Sequence, residues 1–331
     1  MGSSPDSSSA PSNEFLAVFS DQADANGTMP LARFMALALY HPEVGYYQRA
    51  RVRVGRGGET DFFTATSSGE IFGELVNAAC AKILRASGRD PAQHVFIEIG
   101  AEPARGGVMT NVAHAFARTE VRRLNAPLAL HGPCVVFSNE LFDAQPCQSL
   151  VYREGRWRTL GVKLSGGRLT EVELAAPAST DAPPSTANYR LDEPRAATVL
   201  AEKILAEPWQ GLFVAIDYGK TLQSLWHDTP QGTLRAYYRH TQSNDLLARP
   251  GEQDLTCHVC WDWLEAALRE RGFAAPVLEF QEAFFIRHAG EVIAKASAAE
   301  AAHFSPRKRA LLQLLHPAHL GQKFQVLHAV K

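Results

Sequence analysis

Two acids and an amide follow an apolar run within five residues, in Ser138-Asn139-Glu140-Leu141-Phe142-Asp143-Ala144-Gln145-Pro146. Acids just past a buried strand face the crevice of an α/β sheet. There Glu140 or Asp143 can grip a guanidinium with two hydrogen bonds, or hold a positively charged cofactor. The same acids also suit a helix N-terminus, where the helix dipole favours them. A second segment is Phe96-Ile97-Glu98-Ile99-Gly100-Ala101-Glu102-Pro103. Gly100 supplies a sharp turn, and Glu98 can accept hydrogen bonds from a cationic or hydroxyl-bearing ligand. A glycine-rich loop would need glycines at 102 and 104, but the chain has Glu102 and Ala104, with Gly106-Gly107 later. On this segment alone, an ordinary strand-to-helix loop stands equally open.

Other candidates are weaker. Asp217-Tyr218-Gly219 is a third acid at a strand end. The aromatic-basic cluster Thr233 to His240 could stack on nucleic acid, but reads by default as a solvated edge strand. Cys257-His258-Val259-Cys260 has a zinc-like spacing without a second pair to complete four ligands, so no metal is expected. A hydrolase would need a Gly-x-Ser-x-Gly elbow, which the chain lacks.

Elements must position these residues. Val95 to Ile99, Cys134 to Phe137 and Leu212 to Ile216 are apolar runs, each ending near an acid and a turn, as buried parallel strands do. Leu31, Phe34, Met35, Ala38 and Leu39 follow Pro30 at helical spacing. Ile71, Leu75, Ala79 and Ile83 line one face of another helix. Leu150 to Leu174 alternates and carries glycines, so it reads as antiparallel hairpins. Pro177 to Asn188 reads as an exposed loop. Helices are expected over Arg195 to Ala206, Cys260 to Arg271 and Pro306 to Leu315. The domain expectation is a disordered tail over 1–13 and a helical part over 14–93 lining the cleft. An α/β domain over 94–331 follows, with an insertion at about 150–190.

Composition narrows the function classes. Of 331 residues, 46% are hydrophobic, which is ample for a core. A net charge of −2 argues against nucleic-acid binding and against attachment to anionic membrane lipid. No apolar run is long enough to span a bilayer, and the Ser-rich N-terminus resembles neither a secretory signal nor a transit peptide. Five cysteines, an odd number, fit a reducing compartment, and a cytoplasmic location is expected.

Several motifs in order resemble one family. They are Phe34-Met35-Ala36-Leu37-Ala38-Leu39-Tyr40-His41-Pro42 with Gly45-Tyr46-Tyr47, Asp61-Phe62-Phe63-Thr64 and Phe72-Gly73-Glu74-Leu75. Asn139-Glu140-Leu141-Phe142-Asp143-Ala144, Ile216-Asp217-Tyr218-Gly219, Gly232 to Tyr237, Arg249 to Val259 and the tail from Leu315-His316-Pro317 follow. From about residue 27 onward the chain resembles the MidA-type S-adenosylmethionine-dependent methyltransferases, whose mitochondrial members act as complex I assembly factors. The resemblance implies a class I methyltransferase (Rossmann-like) α/β sheet with an inserted lid, S-adenosyl-L-methionine as cofactor, and methyl transfer to protein arginine. A respiratory-complex subunit is one candidate substrate, and the oligomeric state is left open. It also implies that Asp61, Phe63, Thr64, Glu98, Gly100 and Asn139 line the cofactor cleft. Glu140 and Asp143 are implied as the catalytic acids, with Glu140 first.

Two departures stand out. Glu102, Pro103 and Ala104 replace most of the family's glycine-rich loop, and Glu102 would set like charge beside the cofactor carboxylate. The 41 residues from Glu98 to Asn139 leave room for one crossover where the family's fold places two further strands. Glu120, at the expected spacing for a ribose-binding acid, precedes the β-like run Val121 to Leu124 instead of ending it. These departures keep a second reading open: a degenerate member that binds protein but little cofactor.

Overall fold

The computed structural model describes residues 11–48, 69–101, 106–124, 126–299 and 305–331. Its contacts divide the chain into two compact units. One comprises Met1–Phe62, Asp143–Ala197 and Lys220–Cys260; the other Phe63–Phe142, Thr198–Gly219 and Trp261–Lys331. This division runs through the 14–93 segment that the sequence suggests as one part. The helix Asn13–Gln22 begins inside the expected tail, because the Ser12 hydroxyl accepts from Phe15 N at 3.1 Å and caps it.

The second unit is built on a sheet whose strands we number β1 (Val95–Ile99), β2 (Arg118–Arg122), β3 (Gly132–Asn139), β4 (Trp209–Asp217), β5 (Ala274–Phe280) and β6 (Gln325–Val330). Among the described residues their order is β5-β6-β4-β3-β1-β2. The strands β2, β1, β3 and β4 run parallel, and β6 lies antiparallel between β4 and β5. The apolar runs read from sequence sit inside β1, β3 and β4, where both faces are buried. The helices Glu70–Ala86, Gln281–Ala299 and Pro306–Leu315 supply Leu75, Phe284, Phe285 and Leu314 to the core that also holds Phe96, Phe137 and Val214.

Only one strand, β2, lies between β1 and β3 among the described residues, and no helix does. Both connections, β1 to β2 and β2 to β3, join parallel strands, so the interval holds one extra strand and two short crossovers, which corrects the one-crossover reading. Glu120 falls in the middle of β2, not before it, and its carboxylate is engaged by Arg118 and Arg122. The helix Glu70–Ala86 closes over the first of these crossovers. A Cβ on Gly73 would lie 2.2 Å from the Val108 carbonyl, so only glycine admits that approach.

The first unit is antiparallel. Arg156–Ser165 pairs with Thr28–Pro30, Gln148–Arg153 and Arg168–Pro177, and Arg190–Glu193 pairs with Gln148–Arg153. The hairpins expected over 150–174 are thus present. Arg235–Tyr238 is the central strand between Thr241–Ser243 and Asp254–Thr256, which corrects the edge-strand expectation. Phe15, Phe34, Leu39, Val162 and Leu255 make this unit's core.

Candidate functional site

The carboxyl ends of β1, β3 and β4 bring several expected residues together in the second unit. β1 stops at Gly100, whose φ is +82°. A Cβ there would meet Leu141 Cδ1 at 2.6 Å. The turn after β1 and the segment after β3 are therefore in direct contact, and the missing side chain at position 100 makes the room.

Glu98 is buried, and its Oε2 accepts from Val108 N at 2.5 Å. Burial pushes its carboxyl up to about 7, against the lowering effect of the Val108 amide. The sequence expectation left this carboxylate open to a ligand. The structure turns Oε2 onto the backbone of its own loop.

β3 ends at Asn139, and the next residue breaks the extended path. Glu140 has φ +51°, a left-handed conformation that costs a non-glycine residue on the order of 1–3 kcal/mol. Glu140 N donates to Ile216 O at 2.9 Å, and Asn139 Nδ2 donates to Glu140 Oε1 at 3.0 Å. What holds this turn is Asp217. Its Oδ2 accepts from Leu141 N at 3.2 Å and Phe142 N at 2.9 Å, and its Oδ1 accepts from Tyr218 N at 2.9 Å. The side chain is wholly buried. Sequence reading noticed Asp217 as an acid at a strand end, but not as the clamp on the segment that carries Glu140. The parallel pairing of Asn139 with Ile216 makes that role possible.

Asp143 falls in the first unit. It is buried, and its carbonyl accepts from Cys257 N at 2.8 Å. Burial first, then the charges of Asp254 and Asp143, push the Tyr40 phenol above its ordinary range. Tyr40 hydroxyl donates to Ala144 O at 2.8 Å, which ties the segment after Asp143 to the helix Leu31–Tyr40. In the same unit the Cys257 thiol sits 2.8 Å from that of Cys147. Asp61, Phe63 and Thr64, and the loop residues Glu102, Pro103 and Ala104, lie outside the described residues.

Comparison with known proteins gives a resemblance to the same family. The model of a family described as "Putative S-adenosyl-L-methionine-dependent methyltransferase" matches residues 120–278. The mitochondrial protein arginine methyltransferase NDUFAF7 homolog of Drosophila melanogaster is 24% identical, over 92% of this chain and 82% of its own. The mitochondrial protein arginine methyltransferase NDUFAF7 of Danio rerio is 23% identical, over 78% of this chain and 72% of its own. The chain is similar to that methyltransferase family over residues 120–278 and to these relatives over most of its length. A Burkholderia thailandensis structure bound to S-adenosyl-homocysteine shares its fold. That structure superposes with a TM-score of 0.82 at 24% identity, covering 97% of this chain and 95% of the other. The methyltransferase sheet is thus of class I, with S-adenosyl-L-methionine as the family's cofactor. The cytoplasmic expectation does not stand, since the curated relatives are named mitochondrial. No helix of the described residues is long and apolar enough to cross a membrane.

The residues present fit such a cofactor. Asn139 Oδ1 is buried with no hydrogen-bond partner among the described residues. A buried acceptor left unmet is costly, and a ligand ammonium or hydroxyl would satisfy it. Gly100 adds a turn without a side chain, and Glu140 adds an anion beside it in sequence and in hydrogen bonding.

Proposed function

We propose that this methyltransferase transfers a methyl group to an arginine guanidinium of a protein, with Glu140 as the catalytic acid. The observation that carries the reading is the Glu140 turn: a left-handed acid, bonded to Asn139, on a segment clamped by a buried aspartate. When bound, S-adenosyl-L-methionine supplies a methyl group already activated by its sulfonium. Asn139 and Gly100 would hold it. Glu98 would act one step back, by fixing the Val108 side of the loop.

The work left to this chain is positioning and electrostatics. A carboxylate can take two hydrogen bonds from a guanidinium, which fixes the plane of the group. That anchoring draws positive charge toward Glu140 and aims another guanidinium nitrogen outward for methylation; the proton this nitrogen sheds as the N–C bond forms would pass to the Glu140 carboxylate. Asp217 keeps the acid from relaxing away, because three backbone amides hold it in place. Asp143 is the second acid of the same segment in this reading. The relatives named protein arginine methyltransferases support guanidinium as the acceptor, and a respiratory-complex subunit is one candidate substrate.

The test joins calorimetry to a methyl-transfer assay. S-adenosyl-homocysteine should bind with micromolar affinity, and labelled methyl should appear as methylarginine after acid hydrolysis of the protein substrate. Glu140→Gln should lower transfer by about 100-fold or more while leaving cofactor affinity within about threefold. Equal rates in the two proteins would remove Glu140 from the chemistry. No heat at millimolar ligand would leave a protein-binding member of the fold without the reaction.

A further inference from the structure

Away from the crevice, β5, β6 and the helix Gln281–Ala299 converge three potential ligands on one point. Glu279 and His328 lie on neighbouring antiparallel strands, paired as Val277 with His328 and Glu279 with Val326. Diagonal positions on such a pair share one face. His288 reaches the same face from the helix, one residue before the backbone departs from helical geometry at Ala289. One ligand atom from each of the three residues lies within 4.8 Å of the other two. Glu279 Oε1 is 3.2 Å from His328 Nε2 and 3.4 Å from His288 Nε2.

We propose that Glu279, His288 and His328 form a site for a divalent transition-metal ion of the zinc type. A tetrahedral ion with bonds of about 2.1 Å holds its ligand atoms about 3.4 Å apart. The two separations centred on Glu279 Oε1 already have that size. Two imidazoles and one carboxylate are zinc's usual donors, and they leave one position for water. The site is built: the three side chains are 8%, 16% and 9% exposed for Glu279, His288 and His328. His288 Nε2 is buried and makes no hydrogen bond among the described residues. Its polar neighbour is Glu279 Oε1 at 3.4 Å.

The charges agree. Neutral imidazoles can each offer a ring-nitrogen lone pair, and the Glu279 carboxylate supplies the negative charge a divalent ion needs. Arg287 pairs with the other carboxylate oxygen, Oε2, at 2.9 Å, and its own side chain is 63% exposed. It orients the carboxylate and leaves Oε1 toward the imidazoles, the role of an outer-shell partner. The rings of Phe284, His288 and His328 pack together at 5.2–5.5 Å between centroids, which fixes the imidazole planes. Bound there, the ion would staple the antiparallel edge of the sheet to its covering helix.

The test uses the full chain, freed of any affinity tag and stripped with chelator. Zinc chloride titrated against a chromophoric chelator should show one ion per chain at micromolar affinity or tighter. Cobalt in its place should give visible bands of nitrogen and oxygen ligation with no thiolate charge transfer. His288→Ala and Glu279→Gln should each weaken binding by at least roughly tenfold. Glu279→Gln preserves the side-chain shape, so its circular dichroism should match the parent even if a histidine variant unfolds. Affinity no tighter than millimolar, a thiolate-type cobalt spectrum, or unchanged affinity in Glu279→Gln would overturn the proposal.

Discussion

Glu98 near the end of β1 and Asp217 at the end of β4 are both buried acids in the same sheet, and they are treated differently. Asp217 meets three backbone amides, shared between its two oxygens. Among the described residues Glu98 accepts from one amide, that of Val108, and burial pushes its carboxyl up to about 7. An anion with a full complement of donors is a fixed part of the scaffold. An anion with one donor is a conditional part, and the loop it holds depends on pH. The acid-bearing segment after β3 thus rests on an acid shared among three amides, while the turn after β1 rests on an acid whose proton is held up to about pH 7.

The strongest way to break this contrast is Asp217→Asn. Asparagine offers one acceptor oxygen and turns an amide NH2 toward backbone N–H groups. Donors at Leu141, Phe142 and Tyr218 would be left unmet or opposed. The expected cost is about 4 kcal/mol, since each buried unmet donor costs roughly 1–3 kcal/mol. Urea denaturation would measure it. Methyl transfer should fall with it, because Glu140 loses the clamp that holds its turn. A variant within about 1 kcal/mol of the parent would show that the clamp is ornamental.

Glu98→Gln sharpens the contrast from the other side. The folded protein holds the Glu98 proton more tightly than the unfolded chain, at about 7 against an ordinary 4.5. Stability is therefore unpenalised below about pH 4.5, declines as pH rises toward 7, and carries the full penalty above it. That penalty is at most about 3 kcal/mol. Glutamine keeps an acceptor for Val108 N and cannot ionise. The fall in urea midpoint between pH 5 and pH 8 should shrink in Glu98→Gln, and the variant should be the more stable protein at pH 8. Parallel curves for the two proteins would mean that the carboxyl titrates normally.

How far the sequence could reach follows from the same two acids. β1, β3 and β4 were legible because a buried parallel strand is a short continuous apolar run, and the acid after each run stood out. The clamp itself was not, because it depends on β4 lying beside β3, some 75 residues away between Asp217 and Phe142. The last two strands and the helix Gln281–Ala299 went unread. β5 has exposed and half-buried residues in irregular order, and the helix carries apolar, charged and histidine residues without a clean face. Glu279, His288 and His328 were invisible for the same reason: Glu279 and His328 are 49 residues apart and meet only through strand pairing. Conversely, Phe72-Gly73-Glu74-Leu75 was legible as a motif long before its cause. Gly73 admits the Val108 carbonyl, and Glu74 pairs with Arg307 through both oxygens.

The mildest probe of the contrast lies where its two halves touch. Gly100→Ala would place a Cβ against Leu141 Cδ1 at 2.6 Å, on a backbone with φ +82°. The clash is with the end of a side chain, which can shift; the backbone strain cannot. We expect a loss of about 2 kcal/mol, roughly half of it steric and half from the left-handed conformation. Leu141→Ala should separate the two parts. In that background the steric part has no partner, so adding Gly100→Ala should cost only about 1 kcal/mol. A double-mutant cycle with no coupling would mean that Leu141 does not press on the turn after β1, and that the two acids act on loops that never meet. Coupling of the expected size would tie the two loops together. A change of pH at Glu98 would then reach the Glu140 segment through Leu141.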